Sequence, residues 1–347
     1  MKQILKWNKY LWNLKQLLNY LSAILLFSAV FCSCSLSQKT VFVVLPDTQT
    51  YLESCPEVFK SQVDWILKNK KGIDVVIHVG DVTQDNHPTE WMLMSEYFSE
   101  IENAGLPYTF SLGNHDLGSK PGKFSDVHNT SVANKYFPVE RFTNKKYWGG
   151  SYDKDSIDNH YINIRSEGID WLIMSLEFGP SDDVLEWANK VISQNRDKAV
   201  IINTHAYLYS DSTWLDNGDW WRPQAYGIGK DSARTVNDGG HIWEKLASKH
   251  SNILAVVCGH ILKTGVGTLI SKGENENNVY QMLANFQRGV DNSINGGNGY
   301  LRILTFDKKK GRMEVKTYST WENKYHPSPQ HNFIFNNIDL NSYIKEK

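Results

Sequence analysis

The residues of this sequence best suited to chemistry stand in five places: Asp47, Asp81, the run Asn114, His115 and Asp116, then His205, and last His260. All are types that hold a metal ion or pass a proton. Each place closes an apolar run, as in "SLGNHDLG" (111–118). A turn accounts for Gly113, Asn114 and Asp116, because Gly, Asn and Asp are common turn formers. It accounts neither for His115 nor for the matching clusters elsewhere. Taken singly, each residue reads as a turn Asp or a hydrogen-bonded core His. Taken together, five strand ends deliver Asp, Asp, Asn/His, His and His to one edge. Packing does not explain that, because a core needs apolar residues there and an unpaired buried carboxylate is costly.

The elements that must position these residues alternate along the chain. "TVFVVLPD" (40–47) is a short apolar run ending in Asp47, and "CPEVFKSQVDWILKNK" (55–70) has helical spacing with Pro56 at its start. "DVVIHVGD" (74–81) is a buried strand, "PTEWMLMSEYFSEIENAG" (88–105) an amphipathic helix ended by Gly105, and "LPYTFSLGNHD" (106–116) a third strand. That alternation predicts parallel pairing through crossover helices. Residues 149–177 read as two or three antiparallel strands, 182–195 and 239–250 as helices, and "KAVIINTH" (198–205) and "NILAVVCGH" (252–260) as strands. The runs at 264–271, 279–287, 299–306 and 312–319 alternate as sheet. The expected result is an α/β fold of two sheets with helices outside, and ligand sites in such sheets lie beyond the carboxyl ends of strands.

The chain has 347 residues, 41% hydrophobic and 22% charged, an ordinary globular composition. Residues 1–33 have the layout of a secretory signal: Lys2, Lys6, Lys9 and Lys15, then the apolar stretch "LLNYLSAILLFSAVF" (17–31). In "FCSCS" (31–35) a cysteine follows Ser33, which resembles the lipobox of bacterial lipoproteins, with Cys34 as the lipidated residue. Cys32 is disfavoured because bulky Phe31 precedes it. The alternative is an uncleaved anchor helix, but the apolar run is short of the roughly 20 residues that span a bilayer. Export to a membrane-anchored periplasmic or cell-surface location is therefore expected, with a membrane partner through the lipid. Residues 34–39 would be a linker, 40–321 the domain and 322–347 a C-terminal tail, packed on the domain or partly flexible. Removing residues 1–33, with four lysines and no acids, takes the formal net charge from −1 to about −5, so no nucleic-acid surface is evident. Cys55 and Cys258 read as two free thiols, with a disulfide as the other option in an oxidising compartment.

The blocks "DTQ" (47–49), "GDVT" (80–83), "GNHD" (113–116), "TH" (204–205) and "GH" (259–260), in this order, resemble the calcineurin-like metallophosphoesterase superfamily. Within it they are similar to the purple acid phosphatase-like branch, and "SLEFGPSDDVLEWAN" and "GGNGYLRILTFD" look like a secreted bacterial group. The resemblance implies a four-layer α/β/β/α sandwich of two mixed sheets with flanking helices. It also implies a metal-dependent hydrolase of phosphate mono- or diesters, working with metal-activated water at a two-metal site. Asp81 would bridge the ions, with Asn114, His205 and His260 on one and Asp47 on the other. His115 would protonate the leaving group, oriented by Asp116.

Two positions depart from the commoner family pattern, which has His where this chain has Gln49 and Leu262. Gln49 can ligate through its carbonyl oxygen and Leu262 not at all. One or two divalent ions per chain are expected, from among Mn, Fe, Zn, Mg and Ca. The Asp47 position is the looser one, or is filled only with substrate, and its oxygen-rich set suits Mg, Ca or Mn better than Zn. The competing reading is a lipid-anchored binding protein that kept the fold and lost turnover. His78 reads as a core histidine. His87, before a Pro, reads as solvent-side, yet follows the Asp81 loop closely enough to reach a substrate. The long segment 206–238 carries Tyr207, Trp220, Trp221 and Tyr226 as an aromatic wall, with Arg222 or Arg234 for phosphate; the plainer reading is rings that pack the loop down.

Overall fold

The computed structural model describes residues Lys39–Tyr343. The expected signal, lipidation site and linker before Lys39 therefore lie outside the described residues. The chain opens with β1 (Lys39–Leu45), β2 (Val75–His78) and β3 (Tyr108–Phe110), joined through helices Pro56–Asn69 and Pro88–Asn103. Pairing is parallel, with Leu45 opposite His78 and His78 opposite Phe110. Next come β4 (Trp148–Ser151), β5 (His160–Ser166), β6 (Ile169–Leu176), β7 (Ala199–Thr204) and β8 (Ile253–Cys258), with helix Asp182–Ser193 crossing between β6 and β7. β9 (Val266–Lys272) and β10 (Asn278–Ala284) complete this second sheet, whose order is β4-β5-β6-β7-β8-β10-β9. β11 (Tyr300–Asp307) and β12 (Arg312–Ser319) return to the first sheet, in the order β13-β12-β11-β1-β2-β3. β13 (Lys324–Tyr325) and β14 (Asn332–Asn336) both pair with β12, so the sheet continues past residue 321.

These are two mixed sheets with helices outside. Alternation along each strand decides which face goes where. Phe42 and Val44 of β1 join Leu304 and Phe306 of β11 and Trp171 and Ile173 of β6 between the sheets. Val43 and Leu45 face the helix side instead, with Val58, Phe59 and Val63. Phe42, Phe306 and Trp171 interlock across the sandwich, with ring centroids 4.7–5.1 Å apart. Fully burying side chains of this size stabilises by about 1.5–3 kcal/mol each.

Buried polar bonds also pin one sheet to the other. Asn203 on β7 donates to the His78 carbonyl at 3.0 Å, and Thr109 on β3 meets Ser175 on β6 at 2.6 Å. These ties bring the carboxyl ends of the parallel strands of both sheets to one edge. Cys55 and Cys258 are free thiols. Among the described residues no helix is long and apolar enough to cross a membrane.

Candidate metal centre

Asp47, Asp81, Asn114, His205 and His260 meet at that edge, each at most 6% exposed. Their loops hold one another. The backbone N–H groups of Thr48 and Gln49 donate to the Asp81 carbonyl at 3.1 and 3.0 Å, and that of His260 donates to Asp47 Oδ2 at 3.0 Å. Two motif glycines are required by close approach. A Cβ on Gly113 would lie 2.1 Å from Asp81 Oδ1, and one on Gly259 would lie 2.0 Å from Asp47 Oδ1. Asp81 and His260 themselves sit at φ 49° and 75°. Such left-handed conformations cost non-glycine residues of order 1–3 kcal/mol and cluster at functional sites.

The histidine hydrogen bonds define the donor atoms. His205 Nδ1 donates to the Val79 carbonyl at 2.9 Å, so a neutral ring presents a bare lone pair at Nε2. That lone pair faces Asp81 Oδ1 and Asn114 Oδ1, each at 3.2 Å. With the Asn114 oxygen placed so, three acceptors converge with no hydrogen between them, an arrangement that a cation satisfies. A proton is one such cation. Burial disfavours a charged His205, but the Asp81 carboxylate overrides it and raises the pKa to about 9. A divalent ion is the other. Asp81, His205 and His260 each offer a ligand atom within 4.8 Å of the others, and His260, whose Nε2 donates to the Trp221 carbonyl at 2.7 Å, keeps Nδ1 free. The donor set fits a divalent metal.

The Asp47 side is less complete. Gln49 Oε1 is buried without a hydrogen-bond partner, as a ligand oxygen awaiting a cation would be. Leu262, however, lines the cleft, and Gln287 Nε2 donates to Asp47 Oδ2 at 3.3 Å. Burial, with Asp81 adding to it against the opposing His205 charge, pushes the Asp47 carboxyl well above the ordinary range. Asp81 is buried too, yet His205 and then His115 hold its carboxyl well below that range.

The cleft over these residues is small, about 230 Å³, and His115, Trp221 and Tyr226 also line it. His115 donates its backbone N–H to Asp81 Oδ1 at 2.9 Å, lies 4.0 Å from the Phe124 ring, and uses Nδ1 on the Gln84 carbonyl at 2.6 Å. The expectation that Asp116 orients His115 is corrected here. Asp116 is fully buried and accepts instead from the N–H groups of Val82, Thr83 and Gly113 and from the Thr83 hydroxyl, at 2.8–3.0 Å. It staples the two loops that carry Asp81 and Asn114. Burial and the neighbouring Asp81 raise its pKa to about 6.

Three further expectations change. Tyr207 is fully buried, with its hydroxyl on Gln281 Oε1 at 2.7 Å, so it packs the loop and does not reach the cleft. His87 caps helix Pro88–Asn103, accepting from the Thr89 N–H at 3.3 Å while Glu90 accepts from its own N–H. Arg234 is taken by buried Glu177 at 2.7 Å, which His128 also contacts at 2.6 Å. Because these partners saturate Glu177, the neighbouring group of His128, Asp158 and Glu177 is a structural network. His78 is a satisfied core residue, between Thr48 Oγ1 at 2.9 Å and the Gly80 N–H at 3.1 Å. Trp220, Trp221, Arg222 and Tyr226 do form an open groove of about 690 Å³, which shares Trp221 and Tyr226 with the cleft. Sequence reasoning missed Gln287 and Arg288, although β10 is a further parallel strand ending at this edge and the strand-end rule applied to it would have found them.

The profile of the calcineurin-like phosphoesterase family matches residues 40–263. The chain belongs to that family. Calcineurin-like phosphoesterases are hydrolases that typically bind divalent metals, and the centre above holds candidate ligands for them. The chain is 31% identical over 287 residues to the protein of Bacillus subtilis (strain 168) named "Uncharacterized protein YvnB", covering 81% of this chain and 20% of that one. Its structure is similar to purple acid phosphatase PPD1 from yellow lupin (Lupinus luteus) seeds, with a TM-score of 0.53 at 14% identity, over 88% of this chain and 55% of the plant protein. The chain thus spans a fifth of the first relative and about half of the second, and the second likeness speaks to the fold alone.

Proposed function

We propose that this calcineurin-like phosphoesterase hydrolyses a phosphate mono- or diester at an asymmetric metal centre. The observation that carries this reading is the convergence of His205 Nε2 with Asp81 Oδ1 and Asn114 Oδ1, His205 Nδ1 being taken by the Val79 carbonyl. Asn114, His205, His260 and Asp81 would hold the tighter ion, and Asp47, Gln49 and Asp81 a looser one. Ions there would supply positive charge to the phosphoryl oxygens and the attacking water. The protein's own residues do the rest. His115, whose Nδ1–H is held by the Gln84 carbonyl, would act as an imidazolium, giving its Nε2 proton to the departing oxygen and returning to the neutral ring. Phe178, 5.2 Å from His260 and 6.0 Å from His205, keeps the back of the centre dry. Leu262 and the Gln287 contact to Asp47 support the inequality of the two positions. The oxygen-rich looser position favours Mg, Ca or Mn.

The test is metal analysis of the purified chain before and after incubation with Mn, followed by assay of p-nitrophenyl phosphate and bis-p-nitrophenyl phosphate. One ion rising towards two, with metal-dependent release of p-nitrophenol, supports the reading. No bound metal under any loading leaves the binding-protein alternative. We also propose export as a lipoprotein modified at Cys34. Labelling with a radioactive fatty acid should be lost in Cys34→Ala.

A further inference from the structure

The segment after His205 spends its tryptophans in two ways. Trp214 is used up by packing: its ring stacks on Trp243 at 5.0 Å, and its indole N–H donates to Gln281 Oε1 at 2.7 Å. Trp220 and Trp221 are not used in this way. Neither indole meets another aromatic ring among the described residues, and Trp220 is 73% exposed. The backbone nevertheless holds them in place. Trp221 sits at φ 65°, in the left-handed region that bulky residues avoid, and its carbonyl accepts from His260 Nε2 at 2.7 Å. Tyr226 is anchored edge-on against Phe178, with ring centroids 5.1 Å apart. Unused aromatic surface on a strained, tethered turn fits a ligand site better than a packing role, since such strain clusters where ligands bind.

The groove that these residues form continues the cleft over the metal centre. Trp221 and Tyr226 line both, whereas Trp220, Arg222 and Asp219 line the groove alone. The cleft, at about 230 Å³, has room for a phosphoryl group and little more, while the groove offers about 690 Å³. Asp219 and Arg222 are the charged residues of the groove, one of each sign, so its formal charge cancels. A neutral occupant therefore meets no excess of either charge, and an aromatic one matches the indole faces.

We propose that the substrate carries an uncharged aromatic ring on its phosphate, and that this ring lies against Trp220 and Trp221 in the groove while the phosphoryl group occupies the cleft. The inference rests on the phosphoesterase reading above and narrows it from any ester to one bearing an aryl or heteroaryl group. Trp220 and Trp221 are then specificity-determining residues, and Trp221 and Tyr226, which line both spaces, join them.

The test is calorimetric titration of methylphosphonate, cyclohexylphosphonate and phenylphosphonate into the full chain loaded with Mn. These ligands share a phosphoryl head, have no ester bond to hydrolyse, and differ only in the group offered to the groove. Phenylphosphonate should bind about tenfold more tightly than methylphosphonate, and several-fold more tightly than cyclohexylphosphonate. Trp220→Ala should remove most of the phenyl preference and Trp220→Phe should restore it, while methylphosphonate, too short for the groove, binds as before. The exposure of Trp220 makes both variants safe for the fold. Phenylphosphonate binding no more tightly than either of the other two, or a phenyl preference unchanged in Trp220→Ala, overturns this inference and leaves the phosphoesterase reading standing. Binding of none of the phosphonates overturns both.

Discussion

Asp47 and Asp81 each follow a parallel strand of the same sheet, each is 1% exposed, and each accepts a backbone N–H from a neighbouring loop. Their surroundings differ. Asp81 faces the Nε2 of His205 with Asn114 beside it, and its carboxyl is held low. Asp47 accepts from the amide of Gln287, which lines the cleft together with Leu262, and its carboxyl is pushed up. One half of the centre thus has charge and nitrogen donors arranged for a cation. The other has oxygen and little else. The lesson is that strand ends bring ligands to an edge for topological reasons, while the neighbours of each ligand decide how strongly an ion is held there.

The sharpest way to break this comparison is to remove one ligand from each half. His205→Ala should abolish the tight ion and lower kcat/KM for p-nitrophenyl phosphate about 10³-fold or more, roughly 4 kcal/mol of transition-state stabilisation. Gln49→Ala should cost only about tenfold, recoverable at high Mn. Metal content and steady-state kinetics measured side by side decide it. Equal losses in both variants would mean that the halves work as one unit.

His115 tests the Asp81 half from the substrate side. His115→Ala should lower kcat about 10²-fold for an alkyl phosphate, whose leaving oxygen needs a proton, and far less for p-nitrophenyl phosphate. Metal content should be unchanged. A similar fall for both esters would remove the proton-donor role and leave His115 as a prop for Asp81 through its N–H bond.

Leu262→His sharpens the other half. An imidazole at this cleft-lining position should raise affinity for the second ion about tenfold in calorimetric titration with Mn, and narrow the gap between the two binding steps. An unchanged second step would assign the weakness to the Gln287 contact instead.

How much of this was legible in the sequence follows from what each feature depends on. Parallel strands and crossover helices follow from local periodicity and turn residues, so the runs ending at Asp47, Asp81 and Asn114 were readable, as were His205 and His260. Roles that depend on where a side chain turns were not. Asp116 next to His115 suggested a pair, but three backbone N–H groups from two loops claim its carboxylate. Tyr207, two residues after His205, lies on the core side of its loop, and only Gln281 of β10, 74 positions away in sequence, shows where it goes. Gln287 was within reach of the strand-end rule and was passed over because the run it closes lacks a His or an Asp.

The loop after His205 meets the centre through the Trp221 carbonyl that holds His260 Nε2 and through Trp221 and Tyr226, which line the cleft. Its side chains are therefore free to differ in role, and two substitutions separate them with the smallest effects. Tyr207→Phe loses one buried hydrogen bond, while Gln281 Oε1 keeps the Trp214 indole N–H at 2.7 Å. The stability loss should be about 1 kcal/mol in urea denaturation, with KM unchanged. Trp220 is 73% exposed, so Trp220→Ala should move stability by no more than about 0.5 kcal/mol. If its groove receives the leaving group, that change should raise KM for bis-p-nitrophenyl phosphate more than for the smaller monoester. Neither substitution should alter the metal count. Loss of the tight ion in Trp220→Ala would show that the loop reaches the Asp81 half through Trp220 as well, and the contrast between the two halves would then have to include the loop as part of the stronger one.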